Sequence, residues 1–466
     1  MARARLRWAP YPHRAGFCIT DDTDAAELAT VRAVYDALAA ARVPATKTVW
    51  AFPPEEPCGI PGLPESIQRG VTLDDPDYLR YCEWLGAQGF EITLHGATAG
   101  NNRRATIVRA FERLDRHFPR AHTYVCHAKN ADNPYWQEQT VAKGPLRLAL
   151  SLYARGHRCS GEDPSSPYFW GDLCLERVRY IRLLRTRNLN TLAANPSMPY
   201  FEAEKPYVRG WFAATKRSFR DATSGEALDA LERDWGVTVL YQYLCRYANA
   251  ERTGPTTAFR EGLDRLVAHD RIWKATTSQI LDRLRLMQGV FLATRGDEAF
   301  VLNTNDEPVT DLQIETDGRL AGELTAGSEV HGEVIRLERL EPGESCAFLF
   351  TRPLRAIGPR AIALDRKRRG RADFGHGEVA VHFGIEGREW TAPGGLTVRP
   401  GGHALRFRPG LETLRPRSRA SDAELTRLFL EQSWIIASEF LFKGRSVDSR
   451  RWLAQGEIAL EDHDTW

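Results

Sequence analysis

The sequence predicts an α/β fold in which parallel strands are wrapped by helices, as an open sheet or a barrel. Two observations support this prediction. Strand-like and helix-like segments alternate from Arg14 to about Gly289, and acidic or histidine side chains stand at the ends of three strand-like runs. In such folds the chemistry gathers at the C-terminal ends of the strands, where Asp21–Asp22, His95 and His127 are expected.

The elements follow one another in a regular order. Apolar or alternating runs predict strands at 15–20, 45–52, 90–95, 122–127, 178–184 and 237–244. Helical periodicity predicts helices near 25–42, 75–88, 104–117, 225–234, 256–269 and 277–287.

The pattern changes after about residue 288. Alternating runs separated by Asn, Asp, Gly and Pro indicate a small antiparallel β-domain at 289–355. The remainder, 356–466, is predicted to be a basic β-rich segment followed by C-terminal helices, the first opened by a capping box at 421–424. The basic stretch 352–371 is either a solvated loop or a surface for an anionic partner. The predicted domains are therefore 1–288, 289–355 and 356–466.

Composition limits the classes of function. The 466 residues are 42% hydrophobic and 27% charged, as expected for a globular protein, and a net charge of +2 gives no reason to expect nucleic acid as a partner. No apolar run approaches the length of a transmembrane segment, and the basic N-terminus lacks the apolar core of a signal peptide. We therefore expect a cytoplasmic location, which eight scattered cysteines also fit.

The most informative motif is the acidic pair Asp21–Asp22 after the first strand. Two adjacent carboxylates repel each other unless a metal or a proton neutralises one of them. One aspartate can then bind the metal while its neighbour accepts a proton from the attacking water. Alternatively, Asp22, Thr23 or Asp24 caps the following helix.

Two histidines at neighbouring strand ends favour the metal. His95 ends the run Glu91–His95 and precedes Gly96, whose missing side chain leaves room for a ligand. His127 ends the following predicted strand. One Asp and two His form a ligand set for zinc or a similar divalent ion with an open position for water.

Residues 14–288 resemble the polysaccharide deacetylase superfamily, which are metal-dependent hydrolases built on a distorted (β/α) barrel. Thr20-Asp21-Asp22, Leu94-His95-Gly96 and the segment 273–278 before the last helix carry the resemblance. It implies Asp21 as the catalytic base, and Asp22 and His95 as metal ligands.

The sequence departs from the family at three places. Ala99 stands where the family's second motif has another histidine. The stretch from His127 stands in place of the family's third motif, and Gln242-Tyr243 stands where the family has a histidine on a late strand. His127 is the candidate for the missing ligand. Tyr243 is the candidate acid by its position.

Two further segments suggest sugar binding. Trp170 and Asp172 place an aromatic face beside a carboxylate, and Asn195 lies among amides and turn residues. The alternative is that the aromatic residues are core and the Asn and Pro residues form turns.

The sequence thus predicts a divalent-metal hydrolase, with zinc as the metal, that removes an N- or O-linked acetyl group from a polysaccharide or sugar precursor. Two alternatives stay open. One is a catalytically inactive carbohydrate-binding or scaffold protein of polysaccharide assembly, and the other is an amidohydrolase for small molecules. The sequence does not indicate an oligomeric state.

Overall fold

The computed structural model contains two compact units. One is Gly16–Leu281, and the other combines Met1–Ala15 with the described part of Asp282–Ser421. The structure describes residues 1–56, 69–119, 121–127, 130–135, 159–186, 188–194, 198–199, 205–208, 211–216, 218–303, 305–322, 324, 326–357 and five short strands beyond them. The first residues of the chain thus lie in the second of these units. The predicted boundaries at 288/289 and 355/356 stay predictions.

The unit Gly16–Leu281 is built on an eight-stranded sheet. Numbering the strands along the chain, β1 (Ala2–Arg7) belongs to the other unit. The strands of the eight-stranded sheet are β2 (Ala15–Asp21), β3 (Thr46–Val49), β4 (Glu91–Leu94), β5 (Thr123–Val125), β6 (Tyr180–Thr186), β7 (Trp211–Lys216), β8 (Val237–Gln242) and β9 (Ile272–Lys274). Strands β7 and β9 are not among the predicted strands.

Parallel pairing closes this sheet into a ring. Strands β2 to β8 pair in chain order, and β8 returns to pair with β2 from Gly16 to Asp21. The other edge of β2 is shared between β3 and β9. Only Thr20 and Asp21 of β2 pair with β3. Earlier along β2, the carbonyl of Phe17 accepts from the N–H of Ala275, the residue after β9, at 3.2 Å. The predicted distorted (β/α) barrel is confirmed.

Helices connect the strands. They are α1 (Leu28–Ala40), α2 (Pro76–Ala87), α3 (Arg104–His117), α4 (Gly171–Arg177), α5 (Thr191–Ala194), α6 (Phe219–Ala222), α7 (Gly225–Arg233), α8 (Thr257–Ala268) and α9 (Thr277–Met287). Side-chain caps fix several helix starts: Asp75, Ser224 and Thr256 accept from backbone N–H groups of the first turn. Among the described residues, no helix has both the length and the apolar character to cross a bilayer.

A buried carboxylate holds the N-terminal ends of three barrel strands together. Glu91, the first residue of β4, accepts hydrogen bonds from the hydroxyl of Thr46 on β3 and from the N–H and hydroxyl of Thr123 on β5, at 2.9–3.1 Å. It also accepts from the N–H of Ser278 in α9 at 3.2 Å. These bonds satisfy a charge that would otherwise be costly to bury.

The other unit is mainly antiparallel, as predicted for this part of the chain, and contains two sheets in the orders β13-β14-β12-β1-β16 and β15-β11-β10-β17, in which β16 and β17 pair in parallel. The strands are β10 (Val290–Arg295), β11 (Glu298–Asn303), β12 (Val309–Thr316), β13 (Ser328–His331), β14 (Val334–Leu340), β15 (Ser345–Leu349), β16 (Leu354–Ala356), β17 (Ala361–Ala363), β18 (Ala372–Asp373), β19 (Glu378–Val379), β20 (Thr397–Val398) and β21 (Leu405–Arg406). One buried apolar cluster draws side chains from both sheets, including Leu292, Val301, Ile314 and Leu337.

The N-terminal residues contribute a strand to this unit, which is not among the predicted strands. Strand β1 pairs antiparallel with β12 and parallel with β16, and Ala2 and Ala4 are fully buried in the shared cluster. The predicted C-terminal helices lie outside the described residues, as does most of the basic stretch 352–371.

A buried arginine holds the segment after β1 to the start of β12. The Arg283 guanidinium donates to the carbonyls of Trp8, Thr310 and Asp311, at 2.8, 2.6 and 3.3 Å. Burial lowers the pKa of Arg283 to about 10, so the side chain is still charged at neutral pH.

We expect Arg283→Met to destabilise this unit, because three carbonyls would lose their donor. An unsatisfied buried polar group costs about 1–3 kcal/mol, so a loss of about 3 kcal/mol is expected in chemical denaturation. Arg339→Met is the control, because its ion pair with Glu341 is more than half exposed and should be worth about 1 kcal/mol or less. Equal losses in the two variants would contradict this role for Arg283.

Candidate metal centre

The barrel brings three acidic or histidine segments to its C-terminal mouth. Asp21 is the last residue of β2, His95 follows β4, and His127 lies two residues beyond β5. Leu94 at the end of β4 pairs with both Val49 of β3 and Tyr124 of β5, so the two histidines emerge at the same edge. The positions expected from the sequence are therefore neighbours in the fold.

Two histidines and one aspartate converge there. The Oδ1 atom of Asp24 lies 3.2 Å from Nε2 of His95 and 3.5 Å from Nε2 of His127. The histidine rings are perpendicular, with centroids 5.1 Å apart. Three ligand atoms, one from each residue, lie within 4.8 Å of one another. Donors bonded to one zinc ion at about 2 Å lie about 3–4 Å apart, so the arrangement suits a single small cation.

The hydrogen bond that His95 forms with Val125 fixes which ring nitrogen carries a proton. Nδ1 lies 3.1 Å from the carbonyl oxygen of Val125, which can only accept. Nδ1 must therefore be the N–H donor, and in the neutral ring Nε2 has a bare lone pair directed at Asp24. A metal-binding histidine is held in the same way.

His127 is oriented by an amide. Its Nδ1 lies 3.1 Å from Oδ1 of Asn130, and the Nδ2 of Asn130 donates to the carbonyl of Gly100 at 2.6 Å. The bond to Gly100 assigns the amide nitrogen, so the oxygen faces His127 and accepts from its Nδ1–H. Nε2 of His127 therefore also faces Asp24 as an acceptor.

The donor set fits a cation. Asp24 Oδ1 and His95 Nε2 are buried and have no hydrogen-bond donor among the described residues. Burial opposes charge on His95, but the carboxylates of Asp22 and Asp24 outweigh it and raise the pKa of the ring. Burial likewise opposes charge on Asp24, but His127 and His95 lower its pKa. Acceptors that face one another at this distance require a proton or a metal between them.

The other two aspartates have partners of their own. Asp22 accepts two hydrogen bonds of 2.7 Å from Nη1 and Nη2 of Arg182 on β6, and both side chains are buried. One oxygen of Asp22 lies 3.6 Å from His95 Nε2, so this carboxylate borders the cluster. Burial opposes the charge of Arg182, but Asp22 outweighs it and raises the pKa of the guanidinium.

Asp21 points away from the histidines. Its Oδ2 pairs with Lys47 at 2.9 Å and accepts from the Tyr35 hydroxyl at 2.8 Å, and its Oδ1 accepts from the N–H of Leu244 at 2.6 Å. Burial raises the pKa of Asp21 and Lys47 opposes that shift. Both oxygens are thus engaged, and the residue is 1% exposed.

The local backbone explains how these side chains reach the mouth. Gly96, with φ +71°, turns the chain directly after His95. A Cβ there would lie 3.1 Å from the carbonyl of Thr98 and 3.6 Å from Nδ2 of Asn130, the amide that orients His127. Trp50 supports both histidines: its Nε1 donates to the carbonyl of His95 at 2.8 Å, and its ring lies edge-on to His127 at 5.6 Å.

The remaining predicted residues have diverse surroundings. Tyr243 directly follows β8, whose last residue Gln242 pairs with Asp21 at the mouth, and burial, Asp24 and Asp22 raise its pKa. Trp170 is fully buried against Tyr124 and donates to the carbonyl of Asp132, so its ring belongs to the core. Asp172 is half-exposed and forms two bonds with Arg104, at 2.6 and 2.8 Å. Asn195 lies outside the described residues.

Sequence reasoning missed several residues of the site. Asp24 had a signal, because it is the third aspartate in Asp21-Asp22-Thr23-Asp24, but the sequence pattern alone predicts it only as a helix cap. Arg182 and Asn130 had no signal, since their partners are fixed by tertiary contacts.

No protein-family model matches the sequence, and no curated protein is significantly similar to it. Solved structures are similar to part of the chain. One, assigned as a polysaccharide deacetylase of Mycobacterium smegmatis, is 13% identical with a TM-score of 0.33, over 60% of this chain and 94% of the other. An allantoinase is 12% identical with a TM-score of 0.32, over 59% and 91%. A protein assigned as a polysaccharide deacetylase of Pseudomonas aeruginosa PAO1 is 12% identical with a TM-score of 0.33, over 59% and 92%.

We expect binding of Zn²⁺ to weaken as the pH falls, because metal must displace the proton that the neighbouring carboxylates favour on His95. The raised pKa of His95 extends this competition above the ordinary value of about 6.5. Below the shifted pKa the apparent affinity should fall about tenfold per pH unit for each proton displaced. Titration of the metal-free protein with Zn²⁺ between pH 5.5 and 8.5, set as roughly one to two units around that value, measures this. An affinity that does not change with pH would contradict a histidine-based site.

Proposed function

We propose that the protein is a metal-dependent hydrolase that removes an acetyl group, N- or O-linked, from a polysaccharide or sugar precursor. The observation that carries the proposal is the convergence of Asp24, His95 and His127, in which Asp24 Oδ1 and His95 Nε2 are buried acceptors with no donor among the residues that the structure describes. These three residues would hold the metal, and zinc suits one carboxylate and two imidazoles. When bound, the ion would polarise an acyl carbonyl and lower the pKa of water.

Asp22 is the base in this proposal. Its carboxylate borders the cluster at 3.6 Å from His95 Nε2, and Arg182 holds it in one orientation through two bonds. A base fixed in this way accepts a proton from the attacking water without first reorganising. The proposed roles differ from those expected from the sequence. Asp21, expected as the base, is a structural residue, and Asp22, expected as a metal ligand, is the base. Asp24 takes the place of Asp22 as the ligand.

Tyr243 is the proposed proton donor to the leaving group. The hydroxyl of Tyr241 donates to the hydroxyl oxygen of Tyr243, which leaves the Tyr243 proton available. Burial and the charges of Asp24 and Asp22 raise the pKa of Tyr243, so it stays protonated at neutral pH. The side chain therefore has a proton to give and a position close to the cluster.

The acetylated-sugar substrate rests on the resemblance of Thr20-Asp21-Asp22 and Leu94-His95-Gly96 to the deacetylase motifs. An amidohydrolase acting on small molecules would use the same metal site. Acetate release from acetylated oligosaccharides, compared with release from small N-acetyl amides, distinguishes the two. A carbohydrate-binding protein without catalysis would release acetate from neither.

A pair of variants tests the assigned roles. Asp22→Asn should keep close to one equivalent of metal but lose turnover by about a hundredfold to ten-thousandfold, as expected for loss of a general base. Asp24→Asn should lose both metal and turnover, because two histidines alone leave the ligand set incomplete. Metal content and acetate release are measured on the same preparations. Retained metal also shows that Asp22→Asn still folds around the site.

Asp21→Asn is the matched comparison, since it removes the neighbouring carboxylate. We expect it to keep its metal and to affect stability more than turnover, because Asp21 pairs with Lys47 and Tyr35. If Asp21→Asn kept the metal but lost turnover while Asp22→Asn stayed active, the base would be Asp21. Metal-free wild-type protein, purified without chelator from zinc-supplied cells, would favour the non-catalytic alternative.

A further inference from the structure

A short 3-10 turn beside the candidate metal centre carries an arginine, Arg246. The turn, Leu244–Tyr247, is separated from β8 by Tyr243 alone. It is fixed against the end of β2, because the N–H of Leu244 donates to Oδ1 of Asp21 at 2.6 Å and Cys245 Sγ lies 3.5 Å from the carbonyl of Asp24. Arg246 therefore belongs to the same mouth as the metal ligands.

The guanidinium of Arg246 is positioned by stacking. Its Cζ lies 4.3 Å from the centroid of the Tyr243 ring. Such a contact holds the planar group in place while its N–H donors stay available.

Arg246 differs from the other cations at the mouth. Lys47 pairs with Asp21 and Arg182 with Asp22, in each case at 2.9 Å or less. The guanidinium of Arg246 forms neither a hydrogen bond nor an ion pair within the part of the chain that the structure describes, and it is half-buried. A half-buried guanidinium with its donors unused is suited to bind an anion from solution.

The balance of charge at the mouth leads to the same conclusion. Asp21 and Asp22 are each matched by a cation of their own. A divalent metal beside the single carboxylate of Asp24 and two neutral histidines would leave one positive charge in excess, and Arg246 raises the excess to two. A site with this excess attracts anionic ligands.

We propose that Arg246 binds an anionic group, a carboxylate or a phosphate, carried by the substrate next to the group that is hydrolysed. The inference rests on the proposed function for the identity of the reacting group, and it adds that the substrate is acidic, such as a uronic-acid-containing or phosphorylated sugar. Both anions match the guanidinium fork, which can donate two parallel hydrogen bonds to either.

The test compares anion binding in wild-type protein, Arg246→Gln and Arg246→Lys. Calorimetric titrations at low ionic strength use glucuronate, inorganic phosphate and the neutral control glucose, with metal-loaded and metal-free protein. We expect Arg246→Gln to weaken the tighter-binding anion by about tenfold to a hundredfold, the size of one or two charge-assisted hydrogen bonds. Arg246→Lys should lose less because it keeps the charge. Whichever anion binds more tightly identifies the substrate as carboxylated or phosphorylated.

Arg271→Gln is the matched control. Arg271 is exposed and precedes β9, at the N-terminal end of a barrel strand, so its loss should leave anion binding unchanged. Anion affinities equal in wild type and Arg246→Gln, or no binding at millimolar concentrations of either anion, would overturn the inference. Metal content measured on the same samples keeps the two proposals apart. If the protein binds no metal but its anion binding still depends on Arg246, only the proposed function is wrong. If the protein binds metal but its anion affinity does not depend on Arg246, only this inference is wrong.

Discussion

Three carboxylates within four residues, Asp21, Asp22 and Asp24, have to be neutralised at the end of one buried strand, and the surrounding structure follows from that constraint. Lys47 compensates Asp21, Arg182 compensates Asp22, and two histidines face Asp24. Burying a carboxylate without such a partner costs several kcal/mol, by order of magnitude. Each compensating residue comes from a different strand or strand end, so the barrel must close before the charges balance. The site and the fold therefore depend on each other.

The two ends of the barrel use buried charge differently. At the N-terminal end, Glu91 is surrounded by hydroxyl and backbone donors that satisfy it completely. At the C-terminal end, Asp24 and His95 each present an atom that has no donor within the described part of the chain. A satisfied carboxylate stabilises the fold, whereas an unsatisfied one is a cost that a ligand can remove. This contrast agrees with the usual division of (β/α) barrels into a stabilising end and a functional end.

Much of the barrel could be predicted from sequence because its strands are apolar runs and its helices are periodic. The same logic put His95 and His127 at strand ends, where the structure has them. Strand β1 was not predicted because its alternation of alanine and arginine resembles a basic tail, although the alternation itself was a signal. The Arg182–Asp22 pair joins residues 160 positions apart, and only the closed ring brings them together. The local sequence pattern could not show that Asp24 faces both histidines while Asp22 only borders the cluster, because this depends on which carboxylate forms the ion pair with Arg182.

The pairing of β1 with β12 has a consequence during synthesis. Residues 2–7 are translated before their antiparallel partner at 309–316, which is made roughly 300 residues later. At about 5–20 residues per second, the first strand waits roughly 15–60 s for its place in the sheet. All the strands of the barrel are translated in that interval. The nascent chain therefore carries an unpaired, strongly basic edge, and its alternating arginines protect it against aggregation with other chains until its own sheet exists.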